Sequence, residues 1–133
     1  MEQRKIAFIG GGNMARSLIS GLINAGHPAQ LIHVTDLDQD KLSELAEQFG
    51  VQTSMDNALA AQQADVLVLA VKPQYMAEML TALTATLGDY QHKLVISIAA
   101  GISVARLSAL LGGHDNIVRT MPNTPALIGL GMT

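Results

Sequence analysis

Ile6-Ala7-Phe8-Ile9-Gly10-Gly11-Gly12-Asn13-Met14-Ala15, residues 6–15, is the stretch that decides the fold. Four apolar residues run directly into three glycines, and beyond them Met14, Leu18 and Leu22, with Ile19 and Ile23, recur at helical spacing and predict one buried helix face. The order is strand, turn, helix, and the turn reads G-x-G-x-x-A. Gly10 would permit the tight turn, Gly12 would let the backbone approach a pyrophosphate, and Ala15 would let the helix pack close to the strand. The amides at the start of that helix would then face the phosphates. An ordinary glycine-rich β–α turn is the alternative. Dinucleotide binding is favoured because the turn follows the first strand and because an acidic residue, Asp36, ends the second strand 21 positions beyond Ala15.

A carboxylate at Asp36 would accept hydrogen bonds from the adenosine ribose hydroxyls and repel a 2′-phosphate, a lean towards NAD(H). If the loop turns it away, Asp36 is merely a cap, and Lys41 or Thr35 would serve a 2′-phosphate.

Outward from this unit, short apolar runs alternate with helical segments, the mark of parallel βαβ units. Six strands are predicted, at residues 5–9, 31–35, 51–53, 66–71, 94–98 and 117–120. Residues 66–71, VLVLAV, are apolar at every position, as expected of a central strand covered on both faces. Leu42, Leu45, Ala46 and Phe49, and Met76, Met79, Leu80 and Leu83, mark two further helices. Asp38 and Asp56 suit N-caps, and Gly26, Gly50, Gly88 and Gly112 stand where helices should stop. The fold class is therefore α/β, a Rossmann-like doubly wound, mostly parallel sheet sandwiched by helices.

Composition sets the bounds. The 133 residues are 49% hydrophobic and 14% charged, with net charge -3. That suits one domain, residues 1–133, burying roughly two-thirds of the surface exposed by its unfolded form. Eight Lys and Arg spread among eleven Asp and Glu leave no basic stripe for nucleic acid. Zero cysteines exclude disulfides, zinc knuckles, iron–sulfur clusters and thiol nucleophiles in these residues. The longest apolar stretch, residues 94–105, is short of the ~20 residues that span a bilayer, and with no leader pattern at the start a cytoplasmic location without membrane partners is expected. His27, His33, His92 and His114 lack ligand spacing and read as surface or loop histidines, so no metal is expected. Asp38, Asp40, Glu44 and Glu47 read as a solvated helix face.

Three more segments close predicted strands at their carboxyl ends, where open α/β sheets bind ligands. Ala70-Val71-Lys72-Pro73-Gln74 has a proline suited to the first helical position and a lysine for a phosphate, a carboxylate or solvent. Ser97-Ile98-Ala99-Ala100-Gly101 is small enough for a flat ring to lie on its backbone, though helix–sheet crowding would ask for the same residues. Arg119-Thr120-Met121-Pro122-Asn123-Thr124-Pro125 combines two stiffening prolines with hydrogen-bonding side chains.

With FIGGGNMA at 8–15, AVKPQ at 70–74, SIAAG at 97–101 and RTMPNTPA at 119–126, in that order, the sequence closely resembles pyrroline-5-carboxylate reductase across essentially the whole chain. The resemblance implies that Ile9, Gly10, Gly11, Gly12, Asn13 and Met14 cradle the pyrophosphate of NADP(H) or NAD(H). It places Asn57 near the adenosine ribose, and Ala70, Val71, Lys72, Pro73, Ala99, Ala100 and Gly101 along the path to the nicotinamide, with Asn123 also on the cofactor side. It implies hydride transfer to the C=N carbon of 1-pyrroline-5-carboxylate, giving L-proline. Members are roughly twice this length, with a helical second domain that forms the dimer and supplies much of the substrate pocket. Catalytic residues on the substrate side are therefore expected outside these residues, and the chain alone is expected to bind cofactor without turnover. Many members prefer NADPH, and Asp36 departs from the small polar or basic residues often found at its position. An apolar patch near Ile128, Leu130 and Met132 is expected where the second domain would dock. A non-catalytic NAD(P)H-sensing module, and another GxGNM-type reductase of the 3-hydroxyacid dehydrogenase or coenzyme F420-dependent group, are the alternatives; the latter should lack AVKPQ with MPNTP.

Overall fold

The computed structural model describes residues 4–88, 90, 93–98, 102–114 and 116–119. Six strands and five α-helices alternate: β1 Ile6–Ile9, α1 Asn13–Asn24, β2 Ile32–Thr35, α2 Gln39–Phe49, β3 Gln52–Ser54, α3 Asn57–Gln63, β4 Val66–Leu69, α4 Pro73–Leu87, β5 Leu94–Ser97, α5 Val104–Leu110 and β6 Ile117–Arg119. All six predicted strands are present; the first five are shifted or trimmed by one or two residues, and Thr120, the predicted end of the sixth, lies outside the described residues. Leu31 belongs to a short 3-10 turn, Ala29–Leu31, rather than to β2. Ala70 and Val71 leave the sheet after Leu69, because the chain there bends beneath the glycine turn.

The strands lie in the order β3-β2-β1-β4-β5-β6, and every pairing is parallel. Ile6 pairs in register with Ile32 on one side and Val66 on the other. The direction of strand addition reverses between β1 and β4, which makes their carboxyl ends the topological switch point. This is the Rossmann-like doubly wound sheet expected.

Alternation along the strands divides the core in two. Ile6, Phe8, Val34, Val66 and Val68 pack with Leu18, Leu22, Leu42 and Leu45 of α1 and α2 on one face. Ala7, Ile9, Leu67 and Leu69 pack with Ala61, Met76, Leu80 and Leu107 of α3, α4 and α5 on the other. Both faces of β4 are thus covered, which is why its sequence is apolar throughout.

Local signals act as read. The Asp38 carboxylate accepts from the amides of Asp40 and Lys41 and caps α2, and the Asp56 carboxylate accepts from the Leu59 amide to cap α3. Ser103 caps α5 in the same way, at Arg106 N. Gly50 and Gly88 are the C-caps of α2 and α4, both with positive φ. Met14 departs from its predicted place on the buried face of α1: it is 53% exposed. It is the second residue of the helix, so its side chain stands beyond the edge of the sheet instead of over it.

Candidate cofactor site at the carboxyl edge of the sheet

The glycine turn lies at the switch point. Gly10 has φ +108°, a region that strongly favours glycine. A Cβ built on it would stand 2.7 Å from the Ala70 carbonyl oxygen, so the carboxyl ends of β1 and β4 meet there without room for a side chain. The Ala70 amide donates to the Ile9 carbonyl at 2.8 Å and closes that contact. Gly12 is different: a Cβ there would have nothing within 4 Å. Its Cα faces open space in front of α1, as close approach of a ligand requires. Ala15 is fully buried, as close packing of α1 on the sheet demands.

Helix capping sharpens the picture. Asp38, Asp56 and Ser103 cap α2, α3 and α5 with side chains. The first turns of α1 and α4, preceded by Gly12 and Lys72, have no side-chain cap. These are the two helices that follow β1 and β4, so both uncapped ends lie at the switch point. Their positive partial charge is left for an anionic ligand. Pro73, at the first position of α4 as expected, has no amide to satisfy. Lys72 and Tyr75 are exposed beside it.

On the β2 side, the Asp36 carboxylate accepts from the Gly11 amide at 2.8 Å through Oδ2 and from the Asp38 amide at 2.9 Å through Oδ1. It is turned towards the glycine turn, and each oxygen retains a lone pair. Thr35 is fully buried and its hydroxyl donates to Asn57 Oδ1 at 2.5 Å. That overturns the alternative in which Thr35 serves a 2′-phosphate, since its hydroxyl is spent holding the Asn57 carboxamide. Asn57, at the start of α3, thereby keeps both N–H donors for other partners.

Apolar surface gathers on the same edge. Six of the seven exposed large hydrophobic residues among the described residues, Met14, Leu37, Met55, Leu59, Tyr75 and Val104, lie in loops or first turns that follow strands. Leu37, at 85% exposure, sits directly beside Asp36. Ligand surfaces combine such apolar area with a few directed polar groups.

Ala99, Ala100, Gly101, Met121 and Asn123, His92, and the patch of Ile128, Leu130 and Met132 lie outside the described residues. His33 lies in β2, inside the strand predicted at 31–35, but is half-buried rather than on the surface, with Nε2 3.0 Å from Ser54 Oγ, and burial lowers its pKa. His27 is also half-buried; burial lowers its pKa against the opposing hydrogen bond with the Arg4 backbone, and Nε2 finds no partner. Glu44 is exposed but bound to Arg16 at 3.1 Å. No group of three or more His, Cys, Asp or Glu among the described residues could hold a metal ion.

Comparison with known proteins gives this edge a family. The model of the family described as NADP oxidoreductase coenzyme F420-dependent matches residues 5–101. The chain belongs to that family. It is broader than the resemblance drawn from the four motifs, and individual relatives narrow it. The chain is 51% identical over 133 residues to pyrroline-5-carboxylate reductase of Vibrio alginolyticus, covering all of this chain and 48% of that protein. A solved pyrroline-5-carboxylate reductase from Coxiella burnetii superimposes with a TM-score of 0.86 at 42% identity, over 96% of this chain and 47% of that one. The pyrroline carboxylate reductase of Plasmodium falciparum, solved with NADP bound, does so with a TM-score of 0.77 at 29% identity, over 97% of this chain and 46% of that one. The resemblance to pyrroline-5-carboxylate reductases is thus borne out, and the chain spans about half the length of the relatives it matches.

The buried Thr35–Asn57 pair and the use of Gly11 as tether point escape a sequence reading, since both join residues more than twenty positions apart. The serine three residues before Arg106 was a legible cap signal for α5.

Proposed function

We propose that the chain is the dinucleotide-binding part of a pyrroline-5-carboxylate reductase, and that it binds NADP(H), with NAD(H) as a second cofactor. The observation that carries this is the pair of uncapped helices, α1 and α4, opening at the switch point in front of the bare Cα of Gly12. In this reading Ile9, Gly10, Gly11, Gly12, Asn13 and Met14 hold the pyrophosphate, and Asp36 and Asn57 meet the adenosine ribose. Ala70, Val71, Lys72 and Pro73 lead to the nicotinamide, where Ala99, Ala100, Gly101 and Asn123 complete the cofactor contacts. The bound cofactor supplies a hydride to the C=N carbon of 1-pyrroline-5-carboxylate, and with a proton on nitrogen the product is L-proline. The protein's part is to position and to exclude alternatives; the carboxyl edge described here has backbone amides and small residues suited to that, and no strong general acid is required by a protonated iminium.

Capture of the imino acid, and assembly into a homo-oligomer, fall in this proposal to a helical second domain, which the greater length of the relatives would accommodate. A cytoplasmic location is part of this proposal. No helix among the described residues is long and apolar enough to cross a membrane. The test is a fluorescence titration with NADPH and NADH, using Gly12→Val as the variant that fills the open space. Binding by the wild-type chain that falls at least about tenfold in Gly12→Val supports the proposal. Equal binding by both chains, or proline formation by the 133-residue chain alone, contradicts it.

A further inference from the structure

Gly10, Gly11 and Gly12 form the most freely rotating backbone a chain can have, and ordering them costs more entropy than ordering any other three residues. Each is held by a specific contact. The Gly10 amide donates to the Thr35 carbonyl at 2.8 Å, the Gly11 amide to Asp36 Oδ2 at 2.8 Å, and the Gly12 carbonyl accepts from Arg16 N at 3.0 Å. Of the three, the Asp36 contact alone is made by a side chain. The other carboxylate oxygen takes the Asp38 amide, and the Asp38 carboxylate in turn caps α2 through Asp40 N and Lys41 N. Two aspartates therefore connect the middle of the glycine turn to the start of α2. The contact is also close-fitting: a Cβ on Gly11 would stand 3.4 Å from Asp36 Oδ2 and 3.1 Å from Leu45 Cδ1.

We infer that Asp36 is a positioning residue for the dinucleotide, acting through Gly11: it holds the glycine turn so that Gly12 and the first turn of α1 stay aimed at the pyrophosphate. This rests on the cofactor reading above and changes what is expected of the residue. A carboxylate that acts only on the ribose separates NADH from NADPH, whereas a tether on the turn acts on the part that both cofactors share. Asparagine keeps the shape but offers one acceptor oxygen, and its NH2 would face one of the two donating amides. Asp36→Asn therefore breaks half of the tether, and Asp36→Glu retains the charge while displacing the carboxylate by a methylene.

Two measurements on the 133-residue chain test this. In the ligand-free protein, the Gly11 amide is expected to exchange with solvent about tenfold faster in Asp36→Ala, which removes both acceptor oxygens, than in wild type, while Asp38→Ala, which uncaps α2, leaves it unchanged. In titrations, both Asp36→Asn and Asp36→Glu are expected to weaken NADPH and NADH alike, by about fivefold to tenfold, with their ratio kept within about twofold. Opposite shifts for the two cofactors in Asp36→Asn, with Asp36→Glu like wild type, would show charge acting at the ribose and overturn the inference. Unchanged affinities beside a lowered Tm would reduce Asp36 to a cap and overturn it too. A wild-type chain that binds neither dinucleotide defeats the cofactor reading itself, whereas unchanged Gly11 exchange in Asp36→Ala defeats the tether with no ligand present.

Discussion

The two edges of the same sheet are finished in opposite ways. At the amino edge, side chains close almost every loose end. The Asp65 carboxylate accepts from the Lys5 amide at 3.0 Å, and the Lys93 ammonium donates to the carbonyls of Gln62 and Ala64 where α3 ends. His114 Nε2 donates to the Lys93 carbonyl at 2.8 Å. Tyr90, fully buried, shares a 2.8 Å hydrogen bond with Thr84, whose hydroxyl also reaches the Leu110 carbonyl at 3.0 Å. At the carboxyl edge, α1 and α4 start without side-chain caps, Gly12 faces open space, and Met14, Leu37, Met55 and Tyr75 stand exposed. The carboxyl edge also caps α2, α3 and α5 with side chains, so what it leaves open is confined to the two helices at the switch point. The contrast marks the switch point as the candidate site without recourse to any motif, because the amides of an uncapped helix start remain free to meet a ligand.

The contrast can be broken in graded ways. The largest effect is expected at Gly10, where alanine must adopt φ +108° and meet the Ala70 carbonyl. Gly10→Ala should lose about 3 kcal/mol of stability, read by urea denaturation; a loss below about 1 kcal/mol would mean that the β1–β4 contact yields easily. Next comes Gly12→Val, whose Cβ meets nothing in the protein: stability should change by about 1 kcal/mol or less, while cofactor affinity falls at least about tenfold. The two glycines of one motif would thus separate into a structural and a ligand-facing member, and parallel losses in both variants would erase that separation.

Lys93→Met carries the comparison to the opposite edge. It removes both bonds that close α3, and it should cost about 1 kcal/mol with cofactor affinity unchanged; a change in affinity would couple the two edges. Burial lowers the Lys93 pKa, and the negative charge of Asp65 opposes that shift. The smallest effect is a pH dependence. Burial lowers the pKa of His33 and of His27, so the unfolded chain takes up protons before the folded one does. Stability is therefore complete above the ordinary histidine value of 6.5 and declines as the pH falls below it. Tm measured from pH 7.5 to 5.5 should fall, and His33→Gln should flatten the slope; a profile identical in wild type and variant would exclude His33 as a source.

Much of this was legible from neighbouring residues. The six strands, the caps Asp38 and Asp56, the stops at Gly50 and Gly88 and the first position of Pro73 all depend on spacing within a few residues, and each stands in the structure as read. Met14 was misplaced because helical periodicity cannot tell where a helix overruns the sheet beneath it. His33, inside a predicted strand, was read as a surface residue because its partial burial depends on β3 being brought alongside it, with Ser54 as its partner.

By itself, then, the sequence determined the order of elements, the two-sided core and a glycine turn able to admit a pyrophosphate, since periodicity and turn chemistry are local. Only the tertiary structure decided that Asp36 spends its carboxylate on Gly11, that Thr35 holds Asn57, and that the uncapped helices α1 and α4 start side by side at the switch point. Those outcomes depend on which chain segments become neighbours in the sheet, and strand order is set by packing across the whole domain rather than by any stretch of residues within it.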